Sequence, residues 1–133
     1  MDAATGQLVR QRAGNRCEYC RLPQNFSDLR FHVEHVVPRQ HRGSDATDNL
    51  ALACPECNLH KGTNLTGIDP DTGKVTQLFD PRRDRWADHF RIVEGSVTGK
   101  TPTGRTTAWL LEMNTGERLR MRQRLLRLGM LNE

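Results

Sequence analysis

The chain has 133 residues, of which 35% are hydrophobic and 5% aromatic, and its 20 Lys+Arg exceed its 16 Asp+Glu for a formal charge of +4. That length supports one modest core, and so lean a composition calls for a staple such as a bound metal or disulfides. No apolar run is long enough to span a membrane and no secretory or transit signal is visible, so a cytoplasmic protein with no membrane partner is expected.

Residues 4–13 read as a helix closed by Gly14. "NRCEYCRLP" reads as a knuckle and turn. Residues 30–37 form a predicted strand that Pro38 ends. "RQHRGSDATDN" is a polar loop, and "LALAC" a short apolar strand. "PECNLHKG" opens with Pro55 at a first helical position and closes on Gly62. Residues 31–62 therefore read strand, loop, strand, helix. Beyond them, Asp71-Thr72-Gly73 fits a hairpin turn before a strand at 74–79. A second hairpin is expected across Glu94-Gly95. A helix starts near Thr101-Pro102 and runs through "TGRTTAWLLEM". "NTGE" fits a capping pattern, with Asn114 as cap and Glu117 three residues on. The last helix, "ERLRMRQRLLRL", stops at Gly129. No internal repeat or low-complexity segment is present.

The four cysteines form two C-x-x-C pairs, Cys17/Cys20 and Cys54/Cys57, with 33 residues between them. Without a secretory signal, disulfides are not expected. Two such pairs supply four thiolates, the set that a tetrahedral structural Zn²⁺ takes. A redox pair or free thiols is the alternative, and no βαβ unit supports it. A zinc centre with four thiolates is dianionic, which brings the effective charge to about +2. The basic excess is uneven: residues 96–133 carry seven basic and three acidic side chains. Such a balance fits a polyanionic partner.

Cys54 and Cys57 fall at the second strand–helix junction, so one zinc would clamp the strand–strand–helix unit from its back. Glu34-His35 in "FHVEHVVP", Asn49 in "DNLAL" and Asn58 on the helix are then left to face a site. The run "CEYC … HVEHVVPRQHRG … DNLALACPECNLHKG" resembles the HNH endonucleases, over roughly residues 10–65. "LFDPRRDRWADHF" and "GKTPTGRTTAWLLEMN" more weakly resemble a C-terminal extension on some small bacterial HNH proteins. The resemblance implies an α+β fold: a ββα-metal (His-Me finger) core stapled by a four-cysteine zinc site, with a mixed hairpin and helical C-terminal extension. It places that core at 1–66 and the extension at 67–133, packed together as one structural domain.

The resemblance also assigns roles. His35 stands at the general-base position. Glu34 stands where a metal-binding Asp is usual, and Asn58 replaces the final His as second ligand. Asn49 matches the middle Asn, which braces the loop and orients the base. The chemistry is coherent on its own terms. Phosphodiester hydrolysis needs an activated water and stabilisation of phosphate charge. An imidazole can take the proton near neutral pH. Hard oxygens from Glu34 and Asn58 suit Mg²⁺ or Mn²⁺ better than softer ions. Adjacent strand residues face opposite ways, so this pairing works only if the strand ends there.

Further candidates for substrate contact or support are His32, on the Glu34 face of the strand, His41 and Arg42 in the loop, and His60 and Lys61 on the helix. For Lys61 a solvated lysine is the competing reading. On the last helix, Arg120, Arg124 and Arg127 share one face suited to DNA phosphates, or to plain solvent. Arg118 and Arg122 fall inside the apolar arc and are expected to bury their stems. The expected activity is metal-dependent DNA hydrolysis, nicking or double-strand, leaving 5′-phosphate and 3′-hydroxyl ends. Few aromatics are available for base stacking, which favours duplex DNA held through phosphates by a monomer or homodimer. The rivals are a catalytically inactive zinc-knuckle nucleic-acid-binding protein and a purely structural or redox zinc protein.

Overall fold

A computed structural model describes residues 2–131. The chain forms two compact units: residues up to Thr63 together with Asp80–Asp84, and Asn64–Phe79 together with Arg85 onward. Among the described residues no helix is long and apolar enough to cross a membrane.

In the first unit, helix α1 (Ala3–Arg12) is capped by Asp2, whose carboxylate accepts from the Thr5 amide at 2.8 Å. Its buried apolar contribution is mainly Val9, so polar ties fix it as well. Arg10 donates to Phe31 O at 2.9 Å, and Arg12 donates to Thr47 O at 2.9 Å and Leu50 O at 2.6 Å. These charge-assisted bonds pin the helix to the entry of both strands. Strands β1 (His32–His35) and β2 (Leu50–Ala53) pair antiparallel, with His32 opposite Ala53 and His35 opposite Leu50. All four β2 residues are buried, the pattern of a short strand covered on both faces. Helix α2 (Pro55–Lys61) follows directly, with Cys54 as N-cap and Pro55 in its first turn.

The Asp80–Asp84 segment returns to this unit through Arg82, which pairs with the Glu18 carboxylate in the first cysteine loop. The other Glu18 oxygen accepts from the Leu52 amide at 2.8 Å. Glu18 thus fastens that loop to β2.

Among the described residues the second unit is two hairpins and three helices. β3 (Thr66–Ile68) and β4 (Val75–Gln77) pair around the expected turn, and β5 (Phe90–Val93) and β6 (Ser96–Gly99) pair across Glu94-Gly95. Both residues of that turn have positive φ, 51° and 88°, as a two-residue hairpin loop demands. A short helix, α3 (Trp86–His89), precedes β5 and was not legible as a period. Helix α4 (Pro102–Leu110) begins under a Thr101 cap, and α5 (Gly116–Arg127) ends before Gly129.

One expectation is corrected here and another is met and exceeded. The N-cap of α5 is Thr115, not Asn114. The Asn114 amide is committed elsewhere, accepting from Val97 N at 2.7 Å and donating to Val97 O at 2.9 Å. Arg118 and Arg122 bury their heads as well as their stems. Arg122 donates to Gly95 O at 2.7 Å, Met113 O at 2.5 Å and Asn114 Oδ1 at 2.9 Å, while Arg118 donates to the Leu111 and Glu112 carbonyls. Backbone acceptors replace the water that a buried guanidinium would otherwise need.

Candidate functional site

Cys17 and Cys20 lie in the loop after α1, and Cys54 and Cys57 at the start of α2. All four are buried, and their sulfurs lie within 4.8 Å of one another. The Cys20 and Cys54 sulfurs are 3.7 Å apart. Four ligands around one zinc at about 2.3 Å would sit at roughly that spacing. The amides of Cys20 and Cys57 each point at the first sulfur of their own pair, at 3.4 Å. Burial pushes the Cys17 and Cys57 thiols well above the ordinary thiol range, whereas a hydrogen bond with Cys17 draws Cys54 below it. Burying the same four groups as thiolates would be costly unless a cation compensated their charge. The cluster is consistent with structural zinc.

On the other side of this unit an open cleft of about 450 Å³ is lined by His32, Glu34, His35, Arg39, Asn58 and Thr63, among others. β1 ends at His35, which resolves the geometric problem of adjacent strand residues: the chain turns away immediately after it. The connection from Val36 to Asn49 is then held by the Asn49 side chain. Asn49 Oδ1 accepts from Val37 N at 2.9 Å, and Nδ2 donates to Val37 O at 3.0 Å and Ser44 O at 2.7 Å. Gly43 packs directly on this neck; a Cβ there would lie 1.6 Å from Val37 O, so no other residue fits without moving the loop.

His35 is one-fifth exposed in this cleft, and its Nε2 lies 2.7 Å from Asp45 Oδ1. Arg39 donates to the same oxygen from Nε at 3.1 Å and Nη2 at 3.0 Å. Asp45 was not among the sequence candidates. The signal available was an acid in the polar loop shortly after the Gly43-Ser44 turn.

Glu34, the expected metal ligand, is buried and already hydrogen-bonded. It is 7% exposed, with Oε1 2.5 Å from the Tyr19 hydroxyl and Oε2 3.5 Å from Lys61 Nζ. Burial raises its carboxyl above the usual range, against the opposing pull of Lys61 and Tyr19. Burial likewise holds the Tyr19 phenol well above its ordinary value, so it is a protonated donor at neutral pH. Lys61 is 2% exposed and donates to Val36 O at 3.0 Å and His35 O at 3.4 Å. It lies beneath the backbone at the end of β1, not in solvent.

Among the other candidates, Asn58 is half-buried and lines the cleft with the exposed His32. His41 and Arg42 are exposed and His60 half-buried, and none of the three lines it. Arg120, Arg124 and Arg127 lie exposed on α5 of the second unit, Arg120 paired with Glu117 at 2.5 Å. Tyr19 was also missed: nothing in "CEYC" separates a packing tyrosine from one that meets a carboxylate fifteen residues on.

Residues 17–64 match the family model for HNH endonuclease. This segment is an HNH domain. Both cysteine pairs, β1, the braced loop, β2 and α2 lie within its bounds, so the cleft and the cysteine cluster belong to the HNH domain together. The family is described as one of endonucleases. The chain is also similar to the Septu protein PtuB of Bacillus thuringiensis, 27% identical over 109 residues that cover 80% of this chain and 40% of that protein. The chain thus spans about 40% of the length of the curated relative it matches. No solved structure matches.

Proposed function

We propose that the HNH domain hydrolyses DNA phosphodiester bonds at the cleft where β1 ends, with His35 as general base. The observation that carries this reading is the placement of His35 and Asn58 on one open cleft, with the intervening loop fixed by Asn49. In the step, His35 removes a proton from water, the water oxygen bonds to phosphorus, and the bond to the 3′ oxygen breaks. The leaving oxygen takes a proton from solvent, giving a 3′-hydroxyl and a 5′-phosphate. General-base action of this kind contributes about 10²–10⁴-fold.

A divalent cation, Mg²⁺ or Mn²⁺, would supply charge neutralisation at the phosphate. Glu34 and Asn58 both line the cleft and offer the hard oxygens such a cation takes. Among the described residues no cluster of three His, Cys, Asp or Glu ligand atoms forms outside the cysteines. The donor set therefore fits a cation that keeps much of its coordination for water and phosphate. The four cysteines hold structural Zn²⁺ in this reading. Exposed Arg120, Arg124 and Arg127 would meet phosphates of duplex DNA, a contact weakened by salt.

One observation favours the rival, a zinc-knuckle nucleic-acid-binding protein without catalysis: Glu34 already has Tyr19 and Lys61 as partners. Nicking of supercoiled plasmid with Mg²⁺ or Mn²⁺, wild type beside His35→Ala, decides between them. The nuclease reading expects nicking by wild type and its near-complete loss in the variant, with zinc content unchanged. DNA retention in a gel shift without nicking under either metal would support the rival, and equal nicking by His35→Ala would overturn His35 as the general base.

A further inference from the structure

We propose that Asp45 is a positioning residue for His35: it holds the imidazole as its Nε2–H tautomer and leaves Nδ1 as the nitrogen that accepts the proton. The proposal rests on the reading of this cleft as the nuclease site and names a group that reading lacks.

The argument begins with donors and acceptors. Asp45 Oδ1 lies 2.7 Å from His35 Nε2 and also receives Arg39 Nε and Nη2 at 3.1 and 3.0 Å. Hydrogen bonds from His35 and Arg39 hold the Asp45 carboxyl below the usual carboxylate range, so it is ionised at neutral pH. An ionised carboxylate has no proton to give. The hydrogen in the short contact therefore belongs to Nε2, and in the neutral ring the lone pair falls on Nδ1. No hydrogen bond reaches Nδ1 from the described residues, which leaves it available to water. A carboxylate that fixes an imidazole tautomer from behind is a recurrent solution wherever histidine takes a proton from a nucleophile.

The second strand of the argument is how Asp45 is itself placed. It is 69% exposed, on a loop, and a lone surface carboxylate would not hold one geometry. Here the residue before it is anchored, because Asn49 Nδ2 donates to Ser44 O at 2.7 Å. The same amide bonds both backbone groups of Val37, two residues after His35. Asn49 thus ties together the two chain segments that carry His35 and Asp45. Arg39 adds a counter-charge, so the carboxylate bonded to these two cleft residues does not repel an approaching polyanion unopposed.

The test uses the full zinc-loaded chain and two variants, Asp45→Asn and Asp45→Glu. Because position 45 is exposed, both are expected to fold, which circular dichroism checks. Ring ¹⁵N chemical shifts of His35, recorded without added divalent cation, report the tautomer directly. Wild type is expected to show the Nε2–H form and Asp45→Asn to shift toward Nδ1–H, because an amide can donate to Nε2. On supercoiled plasmid with Mn²⁺, Asp45→Asn is expected to lose roughly 10²-fold or more in kcat with KM little changed, and Asp45→Glu to regain part of it. An unchanged His35 tautomer in Asp45→Asn overturns the proposal. So does undiminished kcat, or faster nicking through a lower KM, which would make Asp45 an obstacle to phosphate. If wild type does not nick at all, the nuclease reading fails, and the ring shifts still decide what Asp45 does to His35.

Discussion

The Tyr19 hydroxyl, in the middle of the first cysteine pair, lies 2.5 Å from Oε1 of Glu34 on β1. The cysteine cluster and the cleft are therefore coupled by a hydrogen bond between buried groups, not only by chain connectivity. Tyr19→Phe removes the donor and leaves a buried carboxylate oxygen without it. Bonds to charged groups are worth about 1.5–3 kcal/mol, and a loss of that order is expected in urea unfolding of the zinc-loaded protein. Zinc content should stay at wild-type level. An unfolding midpoint identical to wild type would show that water replaces the phenol.

Lys61 is the second support of the same carboxylate, its ammonium 3.5 Å from Glu34 Oε2. Lys61→Met strands a buried negative charge, which typically costs about 3–5 kcal/mol. Adding Glu34→Gln to it should recover part of that loss. A double-mutant cycle in urea measures the coupling, and simple additivity would deny the ion pair any role.

Zinc removal should unfold the HNH domain outright. Apparent binding energies of structural zinc in small peptides run to about 10–16 kcal/mol, as large as the whole stability of a typical domain. Cys54→Ser is expected to lose the metal and the cooperative thermal transition of the zinc-bearing unit, read by zinc analysis and differential scanning calorimetry. Retention of both would mean that the buried cluster stands without a cation.

In the second unit, Asp69 is fully enclosed and accepts from Arg105 Nη2 at 2.9 Å and Nε at 3.2 Å. The Arg105 guanidinium, with the Asp71 amide, lowers its carboxyl from the ordinary 3.8 to about 2. A depressed folded-state value means that its stabilisation is complete above the unfolded value. It is lost progressively as pH falls from there toward about 2. Thermal melts of wild type and Asp69→Asn should differ at neutral pH and converge in that acid window. Parallel melting curves across it would remove Asp69 from the acid response.

Arg122 is a fully buried polar anchor of the second unit. Arg122→Met leaves Gly95 O and Met113 O without that donor, and each buried orphan costs about 1–3 kcal/mol. A combined loss of roughly 3 kcal/mol or more in urea is expected. A neutral result would show that the methionine lets water in.

What the sequence made legible were features fixed by short spacing. C-x-x-C pairs, Pro55 and Gly62 around a short helix, and the Glu-Gly hairpin turn depend on residues a few positions apart, and all appear as expected. What stayed hidden depends on where distant segments meet. Lys61 has the composition of a surface residue and lies buried because three oxygens of β1 and its exit converge on it. Arg118 and Arg122 break the apolar arc of α5 because carbonyls of the segment just before it and, for Arg122, of the Glu94-Gly95 turn accept from them. Asp45 sits in a loop whose polar residues are interchangeable by composition, and only the closure made by Asn49 and Gly43 singles it out.

The return of Asp80–Asp84 to the cysteine-bearing unit has a consequence for how this protein can be taken apart. Arg82 pairs with Glu18 from beyond a complete hairpin of the other unit. Residues 64–79 are thus an excursion spliced between two pieces of the first unit, and no single cut frees either unit whole. A truncation after Thr63 would keep every cysteine and the entire cleft, yet remove Arg82, the ion-pair partner of Glu18. Exchange of this domain between proteins by recombination would have to carry the spliced hairpin with it, or supply another cation for the cysteine loop.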